Sequence, residues 1–202
     1  MITRIRALPA SQVEVMAAAP ASSATPPARR SARPWSAAPA AGSTSTELSC
    51  GVAVLERMTI QRLENVGIVV DDLAAAMTFF VELGLKVLGE GPVAGDWVDR
   101  VVWLEGVRVE IAMLETSDGH GRLELMKFHA PPARGGDRNA PPNTLGIRRI
   151  AFSVDDIDAA VAGLQARGVE LFGGVERYED SYRLCYVRGP EGIVVMLAEQ
   201  LG

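Results

Sequence analysis

Few side chains in this 202-residue chain have the types that chemistry usually recruits. The two histidines, His120 and His129, are nine residues apart with no cysteine pair beside them, a spacing that suits no compact zinc motif. His120 falls in the turn Ser117-Asp118-Gly119-His120-Gly121. His129 ends a strand-like run and is a candidate for the rim of a ligand site. Cys50 and Cys185 are too few and too far apart for a disulfide scaffold, and Cys185 reads as an inert buried thiol within a strand. A reducing, cytoplasmic setting is expected. No Gly-x-Ser-x-Gly elbow, P-loop or strand-linked Gly-x-Gly-x-x-Gly occurs, and Gly119-His120-Gly121 is a turn rather than a nucleotide fingerprint. Two stretches carry aromatic groups suited to a flat ligand. One is Tyr178-Glu179-Asp180-Ser181-Tyr182-Arg183, which is equally readable as an ordinary charged turn. The other is Glu90–Arg100, with Trp97. Trp97 and Trp103 are the largest apolar surfaces for a ligand or a second protomer, with core packing the default for Trp103.

Composition narrows the partners. Acids outnumber bases 25 to 20, so the formal charge is −5 and the basic footprint that nucleic-acid phosphates demand is missing. No run of about 18 apolar residues exists to cross a membrane. Composition shifts sharply near Met58. Residues 1–57 hold 14 Ala, 8 Ser, 6 Pro and 4 Thr, with six Arg against three acids. Such a segment buries too little apolar surface to offset its ordering entropy and is expected to be a disordered extension. Its composition is that of a transit peptide, yet no apolar stretch follows Arg29-Arg30 as a twin-arginine signal requires. An inert tail, or a natural start at Met58, is the expected explanation. Residues 58–202 are the expected folded domain.

That domain is internally duplicated. Residues 64–87 and 148–171 align without gaps at an offset of 84, sharing Val70/Val154, Asp71/Asp155, Asp72/Asp156, Ala75/Ala159, Ala76/Ala160 and Gly84/Gly168. Each copy opens on an alternating strand (Val66, Ile68, Val70; Ile150, Phe152, Val154). The Asp-Asp pair supplies a helix N-cap. A stripe follows (Leu73, Met77, Phe80; Ile157, Val161, Leu164), then a glycine where a helix ends. Strand-like runs come next at Val101–Leu104, Val107–Leu114 and Leu123–Phe128 in the first copy, and at Val169–Phe172, Tyr182–Val187 and Ile193–Leu197 in the second. The expectation is an α+β domain of two βαβββ modules, over residues 60–130 and 145–200, joined by a Pro/Gly/Asn-rich connector at 131–143.

The strand-Val-Asp-Asp-helix opening of both modules and the closing run RGPEGIVVMLAE resemble the vicinal oxygen chelate superfamily. That group includes glyoxalase I, bleomycin-resistance proteins, methylmalonyl-CoA epimerase and extradiol dioxygenases. The resemblance covers about residues 60–200. It implies that the modules pair into a curved, barrel-like mixed sheet enclosing a cup, with helices on the outer face, and that the protein is a homodimer. In metal-dependent members, four inward side chains hold a divalent ion. Carried over, those positions are Asn65 and Arg149 on the opening strands and Glu124 and Met196 on the closing strands. Only Glu124 is of the expected type. Arginine cannot ligate, the methionine thioether suits Cu(I), and one amide with one carboxylate makes no catalytic site. No metal or other cofactor is therefore expected, with divalent metal recruitment, for instance by His129 and Glu124, as the alternative.

Two roles stand open for the charged pair. Glu124 and Arg149 form a buried ion pair filling a lost metal site, or they are catalytic, with Arg149 receiving an anionic oxygen and Glu124 acting as general base. The favoured function is a glyoxalase/bleomycin-resistance-like small-molecule-binding protein with Asn65, Trp97, His129, Tyr178, Tyr182 and Met196 around the ligand. The alternatives are an enzyme of the same superfamily (a glyoxalase or other lyase, an epimerase or isomerase, or a dioxygenase-like protein) and a non-catalytic paralogue acting through its dimer surface.

Overall fold

The computed structural model describes residues 60–202, so the expectations for residues 1–57 lie outside the described residues. The first module runs β1 (Val66–Val69), α1 (Leu73–Glu82), β2 (Lys86–Ala94), α2 (Asp96–Val102), β3 (Arg108–Glu115) and β4 (Arg122–Ala130). The second runs β5 (Ile150–Ser153), α3 (Ile157–Gln165), β6 (Glu170–Leu171), β7 (Glu176–Tyr178), β8 (Tyr182–Arg188), a 3-10 turn (Pro190–Gly192) and β9 (Val194–Gln200).

The duplicated signals act alike in both copies. Asp72 and Asp156 cap their helices, each accepting from the backbone N–H three residues on, Ala75 at 3.0 Å and Ala159 at 2.9 Å. Gly84 and Gly168 take positive φ just past the helix ends. Each opening strand then pairs in parallel with its module's closing strand, β1 with β4 and β5 with β9, and the other main ladders are antiparallel. Two mixed sheets result, in the orders β1-β4-β3-β2 and β5-β9-β8-β6, with β7 added on β8. The α+β architecture of two modules is as expected. The barrel is not closed, because no ladder joins β1 to β5.

One face of each sheet is apolar and covered by its helix. Leu73, Ala76 and Phe80 of α1 meet Leu114, Leu123 and Leu125, while Ile157, Val161 and Leu164 of α3 meet Cys185, Val195 and Leu197, all within one buried cluster. Burying each of the larger side chains contributes roughly 1.5–3 kcal/mol. The modules share this core. Phe80 meets Phe152 edge-on at 6.4 Å between centroids, and Arg167 at the end of α3 pairs with Glu82 of α1 at 2.7 Å. Gly189 packs so closely on α1 that a Cβ there would lie 2.9 Å from the Phe79 ring.

The first module departs from expectation between residues 86 and 104. Lys86–Ala94, which holds Gly89, Gly91 and Pro92 and is not among the strand-like runs of the sequence, is a strand. It lies at the sheet edge, the position at which a strand can carry a proline. Val101–Leu104 is not a strand. It carries the end of α2 and a left-handed Trp103 (φ 56°), which is 65% exposed rather than in the core.

Candidate functional site

Strand alternation turns a second face of each sheet away from the helices. In the first sheet Gly67 is registered with Glu124 and Glu124 with Met113, which places Asn65, Gly67 and Val69 on the same face as Glu124, Met126 and Phe128. Helix α2 folds onto the outer part of this face. Val98 is buried among Val107, Val109 and Ile111, with Trp97, Met126 and Phe128 packed around them. Asp99 fixes the helix by accepting the backbone N–H groups of Gly106 and Val107, both at 2.8 Å. The row at Gly67 and Glu124, flanked by Asn65, lies outside that cluster. The Met126 methyl lies 3.0 Å from where a Gly67 Cβ would stand, so only glycine leaves Met126 this position.

Glu124 is the one charged residue buried among the described residues, at 8% exposure. Its partner is Asn65, whose Nδ2 donates to Oε2 at 3.2 Å. Burial pushes the Glu124 carboxyl above the ordinary glutamate value, and the Asn65 hydrogen bond partly opposes this by favouring the ionised form. Arg149 is not its partner. Among the described residues Arg149 forms no ion pair, is exposed, and rests its guanidinium 5.5 Å from the centre of the Tyr186 ring. The buried Glu124–Arg149 ion pair, one of the two roles left open for these residues, is not formed among the described residues, since an exposed guanidinium keeps its hydration and needs no carboxylate.

On the second sheet, register sets Ala151, Met196 and Tyr186 in one row of the uncovered face. Tyr186 meets Phe172 edge-on at 6.4 Å, and Arg188 lies 4.3 Å over Phe172 while donating to the Arg138 carbonyl at 2.7 Å. The sequence contained this alternation of Arg149, Tyr186, Phe172 and Arg188, but its members are scattered and only β-pairing brings them together. Tyr178 and Tyr182 face each other across the β7–β8 turn, both exposed. Tyr182 shares the face of Tyr186, four residues away on the same strand.

His129 does not join Glu124. Five residues apart on one strand, they project to opposite faces, and His129 approaches Glu110 at 3.4 Å instead. Trp97 is committed to the cluster under α2. The donor set at the superfamily's metal positions does not fit a hard divalent ion. It comprises one carboxylate already held by an amide N–H, that amide, a guanidinium and a thioether. Among the described residues, no three His, Cys, Asp or Glu side chains converge.

Comparison with known proteins agrees with this architecture. A family model for the Glyoxalase/Bleomycin resistance protein/Dioxygenase superfamily matches residues 62–197. The crystal structure of a glyoxalase family protein from Bacillus cereus superimposes with a TM-score of 0.70 at 49% identity, covering 73% of this chain and 99% of that one. The uncharacterized protein YaeR of Escherichia coli (strain K12) is 38% identical over 84 residues, 41% of this chain and 61% of YaeR, so the match spans less than two thirds of that relative. The uncharacterized protein YwbC of Bacillus subtilis (strain 168) is 28% identical over 137 residues, 65% of this chain and 92% of YwbC.

Proposed function

Because this chain belongs to the Glyoxalase/Bleomycin resistance protein/Dioxygenase superfamily, we propose that it is a small-molecule-binding protein whose central site works without a bound metal. The observation that carries this reading is the state of the four central positions. Asn65 donates to Glu124, and Arg149 is exposed on an aromatic ring with no carboxylate of its own. A guanidinium so placed attracts an anionic group, and the neighbouring rings of Tyr186 and Phe172 add aromatic surface for an unsaturated body. The same reading makes the protein a cytoplasmic homodimer, on its low cysteine content and its superfamily. No helix among the described residues is long and apolar enough to cross a membrane.

A second reading, catalysis without metal, is favoured by one observation. Glu124 is a buried carboxylate with its proton affinity raised, the property a general base near neutral pH needs. Arg149 would then hold an oxygen that becomes negative.

The test is elemental analysis of the full chain, with titration of Zn, Ni, Mn and Fe(II) followed by thermal denaturation. The expected outcome is no stoichiometric metal and no rise in Tm, since an ion that binds only the native state must stabilise it. Stoichiometric metal with a clear Tm gain overturns the reading. Turnover of thiohemiacetals, acyl-CoA epimers or catechols would place the enzymatic reading first.

A further inference from the structure

Between the two modules lies a cavity of about 440 Å³ that no superfamily metal position except Arg149 touches. Its walls are the β1 residues Val66–Val69, residues 147–150 leading into β5, the turn 191–194, and part of the connector. Both bounding strands are sheet edges, β1 bonded only to β4 and β5 only to β9. The volume is that of a pocket for a small organic molecule.

The charges lining it are unequally satisfied. Glu191 accepts the Asp71 backbone N–H at 3.1 Å and pairs with Arg138. Asp137 accepts the Asn139 backbone N–H at 2.8 Å. The two arginines of the lining have no such partners. Arg149 forms no ion pair with any described residue. Arg148 forms neither a hydrogen bond nor an ion pair with any described residue, and its Nε is buried with no hydrogen-bond partner. A buried guanidinium N–H without an acceptor is rare, because it has given up its water for nothing. Val66, Ile68, Ile147 and Val194 make much of the remaining wall apolar.

We infer that this cavity binds a small organic oxyanion, a carboxylate or phosphate ester on an apolar body, with the guanidinium groups of Arg148 and Arg149, neither engaged by a carboxylate among the described residues, meeting the anionic oxygens. The inference rests on the small-molecule-binding reading and assigns that ligand its class and its place. Guanidinium is the group suited to either oxyanion, since its planar fork meets two oxygens at once. The signal was present in the sequence as the Arg148-Arg149 doublet. Only the fold distinguishes the two, one exposed beside Tyr186 and the other with a buried, unpartnered N–H.

The experiment measures binding of benzoate, phenyl phosphate, inorganic phosphate and neutral benzyl alcohol to the full chain by calorimetry and thermal shift, at constant ionic strength. At least one of the two aromatic anions is expected to bind and raise Tm, with benzyl alcohol and inorganic phosphate at least tenfold weaker. Benzoate alone would identify a carboxylate site, and phenyl phosphate alone a phosphate ester site. Arg148→Met is expected to weaken the anion at least tenfold. Arg148→Lys, which keeps the charge but loses the planar fork, should do likewise and serves if the Met variant does not fold. Equal binding by Arg148→Lys and wild type, no binding by either aromatic anion, or inorganic phosphate as tight as phenyl phosphate would each overturn the inference. Loss of binding in Arg149→Met alone, with Arg148→Met unaffected, would also overturn it while leaving the small-molecule reading intact.

Discussion

If the Asn65–Glu124 hydrogen bond stands where a metal sits in metal-dependent relatives, its contribution must depend on pH. The perturbation is Asn65→Leu, which removes the one donor among the described residues that reaches a carboxylate that is 8% exposed. A hydrogen bond to a charged group contributes about 1.5–3 kcal/mol, and the 3.2 Å separation lies at the long end of the useful range, so a loss of about 1.5–2 kcal/mol is expected with Glu124 ionised. The sign follows from the raised Glu124 pKa. Below the ordinary glutamate value the group is protonated in folded and unfolded chains alike. As pH rises from there through the raised folded value, the unfolded chain ionises first and wild-type stability falls. Removing the Asn65 donor pushes the folded value higher still, so the variant loses additional stability on the alkaline side. On the acidic side only a neutral hydrogen bond is lost, about 0.5–1.5 kcal/mol. Urea denaturation from pH 4 to 8, in the wild-type and Glu124→Gln backgrounds, measures both effects. The Glu124→Gln background should flatten the pH dependence of Asn65→Leu. A loss that is the same at every pH with Glu124 present, or no coupling between the two substitutions, refutes the reasoning.

Arg149→Met should change unfolding free energy by no more than about 1 kcal/mol, since an exposed cation–π contact contributes roughly 0.5–1 kcal/mol. A gain of several kcal/mol in denaturant titration would instead reveal a strained buried charge. Gly192→Ala should cost about 2 kcal/mol or more in thermal denaturation, because Gly192 has φ +79° and an added Cβ would stand 2.2 Å from the Arg138 carbonyl oxygen. A neutral result would mean that the connector does not lie against this turn. Leu197→Ala, at a fully buried position on β9, should cost about 2–5 kcal/mol by urea denaturation.

Local signals in the sequence determined the module. The alternation Val66, Ile68, Val70, the caps Asp72 and Asp156, and the glycines at 84 and 168 each act within a few residues, so each copy could be read from its own neighbourhood. The duplication then fixed the βαβββ order, and the residue types at 65, 124, 149 and 196 argued against a metal without any geometry. What depended on distant pairing was not legible. The stretch with Gly89, Gly91 and Pro92 has no strand alternation of its own, and β3 supplies the ladder that makes it an edge strand. The run through Val101 and Val102 looks like a strand until Val98 finds a sheet face to cover. The choice of Asn65 rather than Arg149 as the partner of Glu124 belongs to the tertiary structure too. Asn65 adjoins the strand position registered with Glu124, whereas Arg149 belongs to the other sheet, where Tyr186 takes it. Burial decided the rest, because desolvation of Glu124 and of the Arg148 Nε arises only in the folded chain.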